Sequence, residues 1–189
     1  MLNDLKNQGI EPENIEIMFQ DEMRYGLISN YRRSWSLVGE RTRWSNQQAF
    51  TNRYLYSSVS PITGNSFHIM GFSDMDGVTM KAYLEGLRDA NPGKRIILIW
   101  DNAPCHRLKE FEKMENIAIV RLPSYSPQLN PAERFFGEVR KSTANRIFEA
   151  ISDQEVSITQ KVLEYADDHE KMKRLTGYEW VRKQWELVF

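Results

Sequence analysis

The chain lacks the residues that redox, thiol and zinc chemistry require. Its 189 residues include a single cysteine, Cys105, and three histidines, without CxxC or HExxH spacing. The sequence therefore gives no internal disulfide and no zinc signature. The longest apolar runs, such as residues 96–100, are far shorter than the roughly 20 residues that span a bilayer, and no basic and apolar leader opens the sequence. We expect a soluble, cytoplasmic protein.

Net charge is also scarce, but it is unevenly distributed. The 25 Lys and Arg residues oppose 26 Asp and Glu residues, which is not the composition of a protein held on nucleic acid by bulk charge. Within residues 24–53, six arginines oppose one acid, Glu40, and tyrosines and tryptophans are interleaved with them. Within residues 149–170, seven acids oppose Lys161. One interpretation is that the basic region faces a polyanion and the acidic region is kept away from it. The other is that both regions are simply solvated faces.

Hydrophobic patterns predict five strands and several helices. The predicted strands are residues 15–19, 54–59, 67–72, 96–100 and 117–120. The predicted helices are residues 77–87, a short one at 108–114, one from Asn130 to about 148, and further helices within 153–189. The proline and glycine of residues 61–64 suit a hairpin turn, so the first three strands are expected to be antiparallel.

This order of elements predicts an α/β fold. An antiparallel start followed by alternating helix and strand gives a five-stranded mixed sheet flanked by helices, with extra C-terminal helices. Residues 1–14 are expected to form a linker or helix that leads into the first strand. Residues 15–150 would form the main domain, and residues 151–189 a helical extension of it.

Three acids fall where such a sheet would bring them together. Asp21 follows the first predicted strand, Asp101 follows the fourth, and Glu133 lies in the first turn of the helix after the fifth. Carboxylate oxygens suit Mg²⁺ or Mn²⁺. Two such ions about 4 Å apart can activate a nucleophile and stabilise the leaving oxygen in an in-line attack on phosphorus.

Each acid also has a purely structural interpretation. Asp21 could begin a turn, and Asp101 could be a core carboxylate that needs partners. Asn130 and Glu133 have the spacing of a capping box, which would use Glu133 only to close the helix end. His106 could orient a phosphate or a carboxylate, or could be a polar loop residue.

Other carboxylates near these acids have interpretations that involve no catalysis. Glu22 is interpreted as a solvated neighbour of Asp21, Asp74 as part of a turn and Asp76 as a helix cap.

The sequence around the three acids resembles a known family. Residues 96–106, IILIWDNAPCH, and residues 122–133, LPSYSPQLNPAE, closely resemble the second and third catalytic blocks of the bacterial insertion-sequence transposases of the mariner superfamily. Residues 19–22, FQDE, followed by the pattern RxWxxxG at residues 33–39, resemble the first block. The match runs from about residue 15 to residue 147.

The resemblance implies a ribonuclease-H-like, integrase-like catalytic domain of the DDE type. Its Asp-Asp-Glu triad would be Asp21, Asp101 and Glu133, which bind two Mg²⁺ ions, with Mn²⁺ able to substitute. Such enzymes cleave DNA at transposon ends and use the freed 3′ hydroxyl to attack target DNA. Asp101 and Glu133 are 32 positions apart, within the family's usual range. The residues expected to be neighbours of this site are Glu22, Asn102, His106 and Asn130.

DNA, as transposon ends and as target, is then the expected partner, and the protein would be associated with the nucleoid. Arginines and a lysine would contact the DNA backbone, and tryptophans would stack on bases or pack. The expected contacts are Arg32, Arg33, Trp35, Arg41, Arg43, Trp44, Arg134, Arg140, Lys141 and Arg146.

The helix-turn-helix domains of the family do not fit within residues 1–14. A catalytic fragment and the second reading frame of a split element are two explanations, with the DNA-recognition domain deleted or on a separate chain. A homodimer would bring two DNA ends together. Another nuclease of the same fold, such as a structure-specific endonuclease or a ribonuclease H, is an alternative function. A decayed or repurposed domain that binds DNA or protein is the non-enzymatic alternative.

Overall fold

The computed structural model describes residues 7, 9, 11–106 and 111–188. The strands in these ranges are β1 (Ile15–Ile28), β2 (Gln48–Val59), β3 (Ser66–Phe72), β4 (Arg95–Trp100) and β5 (Ile117–Arg121). The α-helices are α1 (Gly77–Asp89), α2 (Ala132–Thr143), α3 (Ile151–Ala166), α4 (His169–Thr176) and α5 (Glu179–Val188). Single-turn 3₁₀ helices occupy Pro12–Asn14, Pro104–His106, Phe111–Lys113 and Pro127–Leu129.

The strands form one mixed sheet in the order β3-β2-β1-β4-β5. β1 pairs with β2 and β2 with β3 in antiparallel fashion, whereas β4 is parallel to both β1 and β5. The predicted mixed sheet with an antiparallel start and extra C-terminal helices is confirmed.

β1 is much longer than predicted, which changes the position of Asp21. The strand was expected to end at residue 19, but it continues to Ile28 in antiparallel pairing with β2. What ends at Phe19 is the parallel pairing with β4, at the rung Phe19–Ile99. Asp21 therefore lies within the strand, just beyond the point where β4 leaves its side, and Asp101 directly follows β4.

Two predicted helices differ from the observed elements. The helix from Asn130 begins at Ala132 and ends at Thr143 rather than near residue 148. Ala144 is extended and Asn145 adopts a φ of 57°, a conformation that does not continue a right-handed helix. The helix predicted at 108–114 lies partly outside the described residues, and its described part is the 3₁₀ turn Phe111–Lys113.

Alternating side chains of the sheet supply two hydrophobic clusters, one on each face. Phe19 and Met23 of β1 pack in one cluster with Phe135 of α2 and with residues of α3, α4 and α5. Met18 packs on the opposite face, with α1 and Trp100. α1 begins as predicted, because the Asp76 carboxylate accepts a hydrogen bond of 2.9 Å from the amide of Thr79.

The β2–β3 turn is held against the C-terminal helices. Gly64 has a φ of +79°, and a Cβ at this position would come within 2.1 Å of the carbonyl oxygen of His169 at the start of α4. Only glycine therefore fits here without a backbone shift. Among the helices in the described part of the chain, none combines the length and the apolar character needed to cross a bilayer.

Candidate active site

The three acids singled out by the sequence line one cavity of about 410 Å³. Asp21 comes from β1, Asp101 from the end of β4 and Glu133 from the first turn of α2. The parallel pair β1 and β4 brings the two aspartates to the same end of the sheet. Asn102, Asn130 and the loop of residues 122–127 complete the walls.

The pKa of Asp21 is strongly shifted by its surroundings. Burial raises its pKa to about 7, and the negative charges of Glu22, Glu133 and Asp101 act in the same direction. The backbone amide of Glu22 donates to Oδ1 at 2.9 Å and the side-chain amide of Asn130 lies 3.4 Å from Oδ2. Asp21 is therefore held in place within a concentration of negative charge that a cation would relieve.

Asp101 is held by hydrogen bonds although half of its side chain is exposed. Nδ1 of His106 lies 2.9 Å from Oδ1, and the amide of Ala103 donates to the same oxygen at 2.8 Å. The hydrogen bond with His106 is the main cause of a pKa below the usual value for aspartate. Asp101 thus keeps its charge more readily than Asp21 does.

The interpretation of Glu22 as a solvated neighbour of Asp21 is wrong, because its side chain is buried. Its side chain is 5% exposed, and Oε1 accepts hydrogen bonds from Nε2 of Gln20 at 2.8 Å and Nε2 of His106 at 3.0 Å. Since β1 continues past residue 19, Glu22 points to the same face as Met18, into the side of the sheet covered by α1. His106 is fully buried and is therefore not a polar loop residue exposed to solvent.

Glu133 does not form the capping box that its spacing suggested. The amide of Asn130 donates instead to the carbonyl of Pro127, and the Asn130 carboxamide oxygen accepts from the amide of Ala132. Oε2 of Glu133 lies 3.3 Å from Nη1 of Arg140, two turns further along the helix, and the Glu133 side chain is 37% exposed. The carboxylate is thus oriented toward the cavity and Arg140 rather than the helix end.

The two asparagines of the site tie its walls to the sheet. Asn130 is buried, and its side-chain amide donates to the carbonyl of Gln20 at 2.9 Å. Asn102 donates to the carbonyl of Leu122 at 2.8 Å. The first hydrogen bond fixes the start of α2 against β1, and the second fixes the 122–127 loop against the end of β4.

The donor chemistry of the cavity fits Mg²⁺ or Mn²⁺. In the residues that the structure describes, no three Asp, Glu, His or Cys side chains converge closely enough to make a ready-formed metal site. The cavity nevertheless presents three carboxylates from three elements, and the pKa of Asp21 is raised mainly by burial, with smaller contributions from the charges of Glu133 and Asp101. Hard divalent ions that keep several water ligands accept such an open, oxygen-only set.

Cavity-lining residues that sequence reasoning assigned no role come from the 122–127 loop. Pro123, Ser124 and Tyr125 all line the cavity, and Tyr125 is fully exposed with a φ of 58°. Their position between β5 and Glu133 was the available signal, because any loop that joins these elements must pass the carboxylates.

The predicted DNA contacts of residues 29–47 have different environments. We call this connection between β1 and β2 the arginine-tryptophan segment. Arg33, Arg41 and Arg43 are exposed in it, as are Trp35 and Trp44. Arg32 is instead anchored, since its guanidinium donates to the carbonyl of Gly137 at 3.1 Å and its amide to Oδ1 of Asn145 at 2.9 Å.

The remaining predicted contacts lie on or next to α2, and each contacts the protein itself. Arg134 stacks on the ring of Tyr178 at 3.9 Å, Arg140 pairs with Glu133, and Lys141 pairs with Glu138. Arg146 donates to Oγ of Ser157 at 3.1 Å. These side chains have structural partners in addition to any role in binding DNA.

The basic and acidic parts of the sequence meet at one point. Arg53, at the end of the basic region, lies 2.8 Å from Oε1 of Glu155 in α3, which also accepts from the hydroxyl of Tyr25. The acidic region therefore contributes to packing as well as to a solvated surface.

Comparison with known proteins assigns the family. The sequence matches the family described as DDE superfamily endonuclease over residues 16–155, well over half of the chain. The chain belongs to the DDE superfamily endonucleases. The resemblance predicted from the three motif blocks is confirmed.

This DDE superfamily endonuclease also resembles solved structures and one further sequence. The match to the Mos1 mariner paired end complex with Mn covers 99% of this chain, with a TM-score of 0.68 and 17% identity, and the match to the Mos1 strand transfer complex also covers 99% of this chain, with a TM-score of 0.66 and 16% identity. The chain spans only 58% of those Mos1 chains. It is 29% identical over 102 residues to "Uncharacterized protein y4pE/y4sA" of Sinorhizobium fredii (strain NBRC 101917 / NGR234), covering 53% of this chain and 75% of that protein. The likeness to Mos1 confirms the ribonuclease-H-like fold.

Proposed function

We propose that the chain is the catalytic domain of a DNA transposase, which cleaves DNA at transposon ends and joins the freed 3′ hydroxyl to target DNA. The observation that carries the proposal is the convergence of Asp21, Asp101 and Glu133 on one open cavity. The names of the matched Mos1 structures, a strand transfer complex and paired end complexes with Mn and Mg, favour this reaction over other phosphoryl transfers.

Both reactions are in-line displacements at phosphorus. In cleavage, a water oxygen attacks phosphorus and loses a proton. The bond from phosphorus to the 3′ oxygen breaks, and this oxygen takes up a proton to become a hydroxyl. In joining, that hydroxyl forms a bond to the phosphorus of a target phosphodiester and loses its proton, while the bond to a target 3′ oxygen breaks and that oxygen takes up a proton. Two divalent ions held by Asp21, Asp101 and Glu133 would increase the acidity of the attacking group and stabilise the charge on the leaving oxygen.

The residues of the chain prepare this chemistry by fixing the ligands. Asp101 is aligned by His106 and the amide of Ala103, and Asp21 by the amide of Glu22 and by Asn130. Fixed ligands lose less entropy when a cation and a DNA strand bind. The open wall formed by the 122–127 loop leaves room for a DNA strand, with Tyr125 exposed at its edge.

A metal titration together with a nicking assay tests the proposal. We expect the purified chain to bind Mg²⁺ and Mn²⁺ by calorimetry and to nick supercoiled plasmid, and Asp101→Ala to lose both. Asp89→Ala is the matched control, because Asp89 is an exposed carboxylate at the end of α1, outside the cavity. An Asp101→Ala variant that binds metal as wild type does would contradict the proposal.

Product analysis separates transposition from the alternatives. With a DNA substrate that carries transposon ends, joining of the 3′ end to target plasmid is the expected product. Hydrolysis of an RNA–DNA hybrid without joining would instead indicate a ribonuclease H. A folded chain that binds DNA but neither binds metal nor cleaves phosphodiester bonds would indicate a repurposed binding domain.

A further inference from the structure

We propose that Glu22 and His106 form a positioning relay that fixes the carboxylate of Asp101 for metal binding. Neither residue belongs to the Asp-Asp-Glu set. The inference rests on the proposed function of Asp101 as a metal ligand, and it adds the residues that act on Asp101 from within the protein.

The imidazole of His106 is held in one orientation. It has no exposed surface, and its ring stacks on the indole of Trp100 with centroids 4.3 Å apart and an interplanar angle of 2°. The carbonyl of His106 accepts a hydrogen bond of 3.1 Å from Arg121. With the ring plane and the backbone both constrained, the remaining alternative for this side chain is a 180° flip about its Cβ–Cγ bond, which keeps the ring plane and changes the side that each nitrogen faces.

Carboxylates on both sides remove that freedom. Nε2 of His106 lies 3.0 Å from Oε1 of Glu22, and Nδ1 lies 2.9 Å from Oδ1 of Asp101. An ionised carboxylate can only accept a hydrogen bond, so a ring nitrogen that bonds to one acts as the donor. Glu22 therefore determines which ring nitrogen faces Asp101, in the way that an outer carboxylate orients a metal-binding histidine.

Glu22 is itself anchored in the core. It is nearly fully buried, and Gln20, two positions earlier on the same face of β1, donates to it at 2.8 Å. The hydrogen bonds thus run without a break from Gln20 through Glu22 and His106 to Asp101. Both hydrogen bonds given to the Asp101 carboxylate by the described residues fall on Oδ1, which leaves Oδ2 for a cation.

Glu16 provides a matched control for Glu22. It lies on the same strand and the same face, has no exposed surface, and is also hydrogen bonded, to Thr63 at 2.6 Å and Asn65 at 2.8 Å. Both of these partners lie in the β2–β3 turn, and Glu16 is not among the residues that line the cavity. Glu16→Gln and Glu22→Gln therefore make the same chemical change at similarly buried sites, and only the second removes the negative charge that faces His106.

The test uses one measurement without metal and one with it. In the metal-free chain, the ¹³C resonance of the Asp101 carboxyl group, assigned by its loss in Asp101→Asn, should move in Glu22→Gln and in His106→Gln and should stay in place in Glu16→Gln. Mn²⁺ affinity measured by calorimetry should fall about 10- to 100-fold in Glu22→Gln, the usual effect of removing an outer-shell partner. His106→Gln, which keeps one donor, should bind Mn²⁺ more tightly than His106→Ala.

The outcomes separate this inference from the proposed function. If the Asp101 resonance and the Mn²⁺ affinity respond equally to Glu22→Gln and Glu16→Gln, or to neither, the relay is wrong even when Asp101→Ala abolishes metal binding. If Asp101→Ala leaves metal binding intact, the proposed function fails and the metal-positioning role fails with it. The carboxyl resonance would still report whether the hydrogen bonds exist.

Discussion

The cavity and the arginine-tryptophan segment both carry residues expected to act on DNA, but they hold them differently. In the cavity, Asp21 and Asp101 each accept hydrogen bonds from the backbone. In the segment, Trp35 and Val38 are fully exposed, and the hydrogen bonds at its base join Ser29 to Gln47 and Arg32 to Asn145. Phosphoryl transfer requires fixed ligands, whereas binding a polyanion requires only charge within reach. The two regions are therefore suited to different tasks.

The largest expected effect is loss of catalysis at the cavity. Glu133→Gln removes one of the three anionic oxygen donors while keeping the shape of the side chain. We expect plasmid nicking in Mg²⁺ to slow on the order of 10³-fold, equivalent to roughly 4 kcal/mol of transition-state stabilisation. Glu138→Gln, on the same helix but paired with Lys141, should stay near the wild-type rate. Equal rates for the two variants would remove Glu133 from the site.

A second expected effect is on the stability of the folded chain, which the buried carboxylate of Asp21 lowers when it is ionised. The pKa of Asp21 is raised to about 7, mainly by burial, so the folded chain binds this proton more tightly than the unfolded chain does. Stability should therefore fall as pH rises from about 4 to about 7, and the loss should be complete above that range. Without divalent ions, Asp21→Asn should be more stable than wild type by roughly 2–4 kcal/mol at pH 8 and nearly equal to it at pH 4.

Urea unfolding in the presence of a chelator measures this difference. Asp89→Asn, at an exposed position, should show the wild-type dependence on pH. Addition of Mg²⁺ should stabilise the wild type at pH 8 and not Asp21→Asn, because a bound cation replaces the missing proton. Parallel pH profiles for wild type and Asp21→Asn would mean that Asp21 is not in the electrostatic environment described above.

Local patterns were sufficient to predict the frame that carries the cavity. The unbroken apolar run of β4 and the helical repeat of Met80, Tyr83, Leu84 and Leu87 predicted a buried strand and a helix that the structure contains. Both patterns depend only on neighbours along the chain. The hairpin turn ending in Gly64 was predictable for the same reason, because its backbone conformation requires glycine.

Long-range contacts explain what the sequence did not predict. β1 continues beyond Phe19 because β2 pairs with it as far as Gln48, and this pairing turns Glu22 into the core. Apolar residues alternate at Met23, Tyr25 and Leu27, and this alternation was a local signal that the strand continues. The orientation of Asp101 depends on His106, and that of His106 on Glu22, which is 84 positions away in the sequence. Glu133 was misjudged as a possible cap because spacing alone cannot show that Asn130 bonds to Pro127 and Gln20.

The smallest expected effect concerns the arginine-tryptophan segment. Arg41 and Arg43 are exposed, so the double charge reversal Arg41→Glu with Arg43→Glu should leave the unfolding midpoint unchanged. If both contact phosphates, DNA affinity should fall, and the slope of log affinity against log salt should decrease in magnitude by about 2. Fluorescence anisotropy with a short duplex at several salt concentrations measures both quantities.

Arg174→Glu with Arg182→Glu provides the control for total charge, because these arginines are exposed on α4 and α5 and the change in charge is the same. A decrease in slope confined to the segment variant would identify residues 29–47 as a DNA-contacting region. In that variant, nicking per bound DNA should be unchanged. An equal decrease in both variants would mean that DNA responds to overall charge alone. The separation between a rigid catalytic cavity and an exposed binding segment would then not hold.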